Sequence, residues 1–510
     1  MDRRSFLQHT SYGVLGAMLA GTKGFAVNES TSPGKRPNIL FAIADDWSWP
    51  HASIAGAKAI HTPNFDRVAN EGILCQNAFC AAPQCAPNRA CTLTGCHIGE
   101  LEEAGTHSSY FPNKFTVYPE LLEESGYHVG FTGKGWSPGN WKDSDREKNP
   151  AGKEYNKNKL RAPYRGIHSN DYAENFEDFL EERPDDAPFC FWYGAYEPHR
   201  RYEEGSGVKA GKRLADVDVP AFLPENDIVR GDLLDAFLEI EWFDAQLGKM
   251  LARLEALGEL DNTIVVVTGD NGMPFPRAKA NLYEYGVHVP LAIRWGGCDN
   301  PGRVVEDLIS FVDFAPTFLE AAGVPVPDAM TGKSFLDTLT AGAPGPNDYV
   351  TFGRERHSHA RFDNWGYPSR AIRTREYLYI RNFKPDRWPA GDPDIYYDID
   401  DGLTKRNLVE NKEKYPKLFE MAVGKRPEEE LFDVSQSMDC MENLAARPEH
   451  AATLKQLQEK LNTILKTQKD PRVMGTGDIF ESYPRFGAMR PELGGFAEKG
   501  VYNPKYQEKP

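Results

Sequence analysis

The sequence predicts an α/β fold: a large mixed, mostly parallel sheet flanked by helices, with a smaller C-terminal antiparallel sheet and helix. Three observations predict it. Residues 36–44 and 263–269 are continuous apolar runs of strand length, as expected of parallel strands buried on both faces. Between about 36 and 340, strand-like runs alternate with helix-like ones in a β-α-β rhythm. Beyond 348, residues 371–380 alternate as a strand should, 430–434 reads as another strand, and 449–466 is an amphipathic helix.

Taken in order, the chain opens on Arg3-Arg4-Ser5-Phe6-Leu7, a twin-arginine pattern, followed by a moderately apolar stretch from Tyr12 to Ala20. Residues 1–27 read as a bacterial export signal cleaved within 20–30, which implies a periplasmic or secreted protein. The apolar stretch is too short and too glycine-rich for a stable membrane span. Residues 28–35 read as a linker and 36–340 as the catalytic α/β domain. Within it, 118–126 reads as a helix closed by Gly126, and 128–132 as the strand that follows. The polar stretch 140–175 reads as a surface insertion near the active-site mouth. The clearest helix runs from about Asp232 to Leu257, because Leu233, Phe237, Ile240, Phe243, Leu247, Met250 and Leu254 keep a three-to-four spacing and Gly258 stops it. Residues 323–348, rich in Gly and Pro, connect to a C-terminal subdomain over 348–475, and 476–510 form an irregular tail.

Composition narrows the function classes. The 510 residues carry a formal net charge of −16, which argues against nucleic-acid binding. Any anionic substrate must be met by a few basic side chains and a metal, not by net charge. Five of the eight cysteines, Cys75, Cys80, Cys85, Cys91 and Cys96, crowd one short segment without a Cys-x-x-Cys pair, so a structural zinc site is not expected. In an exported chain they can form disulfides, but the spacing fixes no connectivity.

Four short blocks carry chemistry. The apolar run at 36–44 ends in Asp45-Asp46, and the run at 263–269 ends in Asp270-Asn271-Gly272. Ligands of open α/β sheets sit beyond the carboxyl ends of such strands, so both pairs are expected at one sheet edge. All four side chains offer oxygen only, which selects Ca²⁺ or Mg²⁺ over softer metals. Taken singly, each pair is also ordinary turn chemistry after a strand. The remaining blocks are Cys85-Ala86-Pro87-Asn88-Arg89 running on to Thr94-Gly95, and Thr62-Pro63-Asn64-Phe65-Asp66.

Cys-x-Pro-x-Arg with Thr-Gly resembles the signature of the formylglycine-dependent type I sulfatases, and the other blocks match that family in the same order. The resemblance spans about 36–475 and implies an alkaline-phosphatase-like fold. It implies that a formylglycine-generating maturation enzyme converts Cys85 to 3-oxoalanine, whose hydrate attacks the sulfur of a sulfate ester or sulfamate. It implies that Asp45, Asp46, Asp270, Asn271 and the modified Cys85 hold one divalent cation, Ca²⁺ ahead of Mg²⁺. Arg89 then steadies the aldehyde hydrate, while Lys134 in Gly133-Lys134-Gly135 and Lys279 contact the sulfate. His199 in Pro198-His199-Arg200 is the general acid.

The match is nearest the N-sulfoglucosamine sulfohydrolases, or heparan N-sulfatases, through Asp270-Asn271-Gly272-Met273-Pro274-Phe275-Pro276, Asn281-Leu282-Tyr283, Pro198-His199-Arg200 and Tyr367-Pro368-x-Arg370. This points to sulfated glycans as substrates, with Arg200, His357 and Arg370 as candidate glycan contacts. One departure stands out. Trp136 occupies the place where the family carries the histidine that helps expel sulfate, so either another group, with His97 and His107 as candidates, acts as that base or regeneration follows a variant route. O-sulfatase action on other sulfated polysaccharides or arylsulfates, phosphodiester or phosphonate hydrolysis on the same superfold, and non-catalytic sulfoglycan binding are the alternatives.

Overall fold

The computed structural model describes residues 35–393 and 395–507. The expected export signal therefore lies outside the described residues. Residues 36 onward form one compact unit. No helix among the described residues is long and apolar enough to cross a membrane.

The strands in chain order are β1 (Asn38–Ala44), β2 (Ile73–Phe79), β3 (His128–Gly133), β4 (Lys153–Glu154), β5 (Phe189–Gly194), β6 (Thr263–Gly269), β7 (His288–Val289), β8 (Leu291–Arg294), β9 (Arg303–Ser310), β10 (Val350–Arg354), β11 (Ser369–Arg373), β12 (Tyr377–Asn382) and β13 (Glu429–Asp433). The first nine form one sheet in the order β4-β3-β5-β1-β6-β8-β2-β7, with β9 paired to β2. Its centre, β3-β5-β1-β6, is parallel, while β8 runs antiparallel to both β6 and β2. The last four form a separate antiparallel sheet. This is the mixed, mostly parallel architecture that the sequence predicts.

The central strands are buried at nearly every position and mostly apolar because both faces are covered. Ile39, Phe41 and Ile43 join one core with Ile264, Val266 and Trp192, under the helices Tyr118–Glu124 and Phe314–Ala321. Leu40, Ala42 and Ala44 join the other with Val265, Val267, Phe191 and Tyr193, under the long helix Asp227–Ala256. That helix starts earlier than its apolar spacing predicts. Asn226 caps it by accepting from the backbone N–H groups of Ile228 and Val229.

Two sequence expectations change form. Residues 371–380 are not one strand but the hairpin β11–β12, turned at the polar triplet Thr374-Arg375-Glu376, where the Thr374 N–H donates to Tyr377 O over 2.9 Å. Alternation alone cannot register such a turn, because both arms keep the same period of two. All eight cysteines are free thiols, and seven are buried.

Candidate active site

Strand register places the site. Ala44 pairs with Gly269, so Asp45 and Asp270 leave β1 and β6 side by side. Ile43 pairs with Gly194, and Gly194 with Gly133, so the segment carrying His199 and the one carrying Lys134 leave at the same edge. Gly133 is obligatory for that exit. Its φ is +74°, and a Cβ there would meet Gly194 O at 1.9 Å. Gly272 is equally confined, with its virtual Cβ 1.8 Å from Tyr285 O, which explains the third residue of Asp-Asn-Gly.

Cys85 opens the wholly buried helix Cys85–Thr94, whose first residue faces this edge. One carboxylate oxygen each from Asp45, Asp46 and Asp270 and the Cys85 sulfur all lie within 4.8 Å of one another, a group that could hold a metal ion. Asn271 adds to it. Its Nδ2 donates to Asp46 Oδ1 at 2.8 Å, while its Oδ1 is buried and has no hydrogen-bond partner. An orphaned carbonyl oxygen beside three carboxylates fits a hard cation. Asp46 also holds a positive φ of 82°, the left-handed strain found at functional positions.

Basic groups surround the cluster. Lys134 Nζ donates to Asp45 Oδ2 at 2.5 Å, and Lys279 Nζ to Asp46 Oδ2 at 2.7 Å. Arg89 Nε donates to Asp270 Oδ2 at 2.9 Å, with both side chains fully buried. Arg89 Nη1 donates to Lys134 O at 2.7 Å, leaving Nη2 buried without a partner. The Cys85 thiol donates to Asp45 Oδ1 at 3.1 Å.

The protonation states follow from burial and charge. Burial, then Asp45, pushes the Cys85 thiol well above its ordinary value, so the sulfur stays protonated and is a poor nucleophile as it stands. Burial raises Asp46 to about 7 against the pull of Lys279, and burial with Asp45 raises Asp270 to about 6. Burial also opposes the charge on Asp45, but Lys134, His199, Arg89 and Lys279 together hold it well below the carboxylate range. For Lys134, burial is outweighed by Asp45, which lifts the ammonium to about 12.

His199 is half-buried at the outer side of the cluster, and its Nδ1 lies 2.8 Å from Arg200 O. Burial and then Lys279 lower its pKa, while Asp45 and Asp400 act to raise it. Of the two histidines expected as alternatives for the missing one, the fold brings only His107 near. Its Nδ1 lies 2.9 Å from His357 O, its ring is 4.7 Å from the His357 ring, and its charge interacts with Lys279 and Lys134. His97 interacts instead with Asp470 and Arg370. Trp136 is buried; its Nε1 donates to Ala86 O at 3.0 Å and so braces the first turn of the Cys85 helix.

Two expected glycan contacts are committed elsewhere. Arg200 makes a two-pronged ion pair with Asp232 at 2.8 and 2.7 Å, donates to Pro274 O and lies over Phe275, which leaves its side chain 6% exposed. Arg370 is buried between Asp470 and Glu355 at 2.6 and 2.8 Å. Neither presents a free donor to solvent. Arg370→Ala strands the buried Asp470 carboxylate, Glu355 keeping Arg472, and is expected to cost about 3–5 kcal/mol of stability in a denaturant titration without raising KM. A raised KM at full stability would return Arg370 to the substrate.

His357 does stay near the site, its ring 4.7 Å from that of His107 and its Nδ1 3.6 Å from Asp398 Oδ1. Asp400 itself was not foreseen. Its carboxylate stands 3.3 Å from Lys279 Nζ. The only trace of it in the sequence is the acidic turn Asp398-Ile399-Asp400-Asp401-Gly402, which looks like any surface loop.

Carboxylates converging at a parallel sheet edge beside a buried signature cysteine define a class, and comparison with known proteins identifies it. The family model "Sulfatase" matches residues 37–324, more than half of the chain, and the chain belongs to that family. It is a hydrolase of sulfuric esters or sulfamates. The model "N-sulphoglucosamine sulphohydrolase, C-terminal" matches residues 277–421. The chain is 27% identical over 487 residues to the N-sulphoglucosamine sulphohydrolase of Homo sapiens, covering 87% of this chain and 93% of that protein. It is also 27% identical over 492 residues to an ulvan-active sulfatase of Formosa agariphila, covering 86% and 76%. A structure solved with its substrate D-glucosamine-2-N,6-O-disulfate shares the fold at a TM-score of 0.61 and 22% identity, covering 86% of this chain and 99% of that one.

Proposed function

We infer that the protein is an exported sulfatase that removes sulfate or sulfamate groups from sulfated glycans, with N-sulfoglucosamine the first candidate substrate. The observation that carries this reading is the Cys85 sulfur packed 3.1 Å from Asp45 inside the carboxylate cluster. As a protonated thiol it has no evident task there, whereas a hydrated aldehyde at the same place puts hydroxyls against hard oxygen ligands. The expected residents are therefore 3-oxoalanine at 85, made by a maturation enzyme, and one Ca²⁺ held by Asp45, Asp46, Asp270 and Asn271. Bound there, the cation would polarise a sulfuryl oxygen and favour the ionised form of the attacking hydroxyl.

The chain's own residues do the rest. Lys134 and Lys279 offer ammonium groups to the sulfuryl oxygens from two sides, at the floor of the site. Arg89 Nη2 is free to hold the hydroxyl at 85. His199, at the outer side, acts as the imidazolium and hands its Nε2 proton to the leaving oxygen or nitrogen, because its Nδ1–H is engaged with Arg200 O. His107, packed on His357, is the candidate to accept the proton released when sulfate departs. The N-terminal twin-arginine segment supports export to the periplasm or beyond.

The reading is tested by tryptic mass spectrometry of the Cys85 peptide from a host with a maturation enzyme, followed by sulfate release from glucosamine N-sulfate. Conversion of thiol to aldehyde with turnover is expected; a persistently alkylatable Cys85 would sink it. His199→Ala should lose about 10²–10⁴-fold in kcat/KM on sugar sulfates. It should lose far less on 4-nitrophenyl sulfate, whose phenolate leaves without a proton; equal losses would remove His199 from proton transfer.

The cation has its own pH signature. Asp46 and Asp270 titrate higher in the folded protein than in the unfolded chain, so they bind protons preferentially in the native state. The cation-free protein therefore loses stability as pH rises from about 4 to 7, when these protons leave. Ca²⁺ replaces them, so the Ca²⁺-induced rise in Tm should be larger at pH 8 than at pH 5.5. A shift independent of pH would place the ion elsewhere.

A further inference from the structure

Asp400 stands at the site against Lys279, and the charges of Lys279, His199, His357 and Arg200 all act on its carboxylate. Lys279 already pairs with Asp46 at 2.7 Å, and Asp400 meets the same ammonium from the other side at 3.3 Å. The Asp400 side chain is 25% exposed where Lys279 is 4% and Lys134 7%. The carboxylate therefore lies nearer solvent than the groups that face the sulfuryl oxygens. His199, the proposed donor to the leaving group, is half-buried as well.

Asp400 is held in place from both directions. Two residues before it, the Asp398 carboxylate takes ion pairs from Arg354 and Arg361 at 2.8 and 2.6 Å and accepts from the Ser358 N–H at 2.9 Å. Lys405 Nζ donates to Ile399 O at 2.8 Å. Beyond it, the Thr404 N–H and hydroxyl donate to Asp232 Oδ2 at 3.0 and 2.6 Å, and Asp232 is the partner of Arg200. Gly402 lies so close to the Arg200 guanidinium that a Cβ would meet Nη1 at 2.2 Å. Arg200 thus fixes the loop that presents Asp400. A carboxylate held this firmly over a sulfate site rejects a second anion and accepts hydrogen bonds from neutral or cationic donors.

We propose that Asp400 sets specificity: it accepts a hydrogen bond from a hydroxyl or ammonium on the sugar carbon next to the scissile sulfate, and so excludes substrates sulfated at that neighbouring position. This rests on the sulfatase reading above. The substrate class it names is a glycan residue with an isolated sulfate or sulfamate flanked by an unsulfated donor.

The test compares matured wild type, Asp400→Asn and Asp400→Glu on glucosamine 2-N-sulfate and its vicinal 2-N,3-O-disulfate, and on galactose 2-sulfate and galactose 2,3-disulfate, with melting temperatures as a fold control. Wild type should prefer the monosulfated sugar of whichever pair it turns over by at least about 30-fold in kcat/KM. Asp400→Asn should shrink that ratio to within about threefold, chiefly by raising KM for the monosulfate and lowering it for the disulfate. Asp400→Glu should keep the preference, because it keeps the charge. Asparagine and glutamate variants with the same ratio as wild type, or a wild type that prefers the vicinal disulfate, would overturn the proposal. Failure of the underlying reading looks different: wild type would then release sulfate from no substrate, 4-nitrophenyl sulfate included, and this proposal would fall with it.

Discussion

On the proposed reading, Cys85→Ala is expected to lower kcat by at least about 10⁴-fold, because it removes the thiol that maturation exchanges for the aldehyde oxygen. The same loss should appear in wild-type protein produced without a maturation enzyme. There the thiol is buried, donates to Asp45 and is held protonated by burial and by that carboxylate. A protonated sulfur cannot replace an activated oxygen nucleophile. Folding should survive, since alanine deletes one small side-chain atom at a helix start whose packing is carried by Ala86, Ala90, Cys91 and Leu93. The variant should therefore still bind sulfated glucosamine and still gain stability from Ca²⁺. Binding without turnover in Cys85→Ala, set against turnover in matured wild type, separates an enzyme from a sulfoglycan-binding protein. Equal behaviour of the two proteins in both assays would favour the binder.

How much of this site the sequence discloses depends on how far each residue's partners lie. Asp45 and Asp270 are legible because each ends an apolar run, and a parallel sheet in register must then bring the run ends together. Cys85 and Arg89 are legible because their spacing is a motif on one helix. Arg200 and Arg370 read as free cations open to a glycan because their partners are remote. Asp232 lies 32 residues from Arg200, and Asp470 lies 100 from Arg370. Only folding reveals that both charges are neutralised and buried. Asp400 is the converse: an acid in a polar loop that becomes a pocket wall because Asp398 anchors it to Arg354 and Arg361. The choice between His97 and His107 was closed to sequence for the same reason, since His107 reaches the site through a backbone contact with His357.

Asp270→Ala should be the most damaging single change at the metal cluster, because it breaks three functions at once. Asp270 is one of the three carboxylates that converge with Cys85, so its loss opens the cation site. Its Oδ1 also accepts from the Asp46 N–H at 3.0 Å, which helps hold the left-handed backbone at Asp46. Its Oδ2 neutralises Arg89, and neither side chain has any solvent exposure. Removing one partner of a buried ion pair costs about 3–5 kcal/mol, because the remaining charge stays desolvated. Asp270→Asn keeps the shape and one acceptor but not the charge, so it should fold better while still binding Ca²⁺ poorly. The expected order of Tm in Ca²⁺ is wild type, then Asp270→Asn, then Asp270→Ala. Only wild type should gain Tm on adding the ion, and kcat/KM should fall by at least about 10³-fold in both variants. If Asp270→Asn matched wild type in Ca²⁺-dependent stability and activity, the cation could not sit between β1 and β6. The convergence of their carboxyl ends would then serve to hold Arg89 alone.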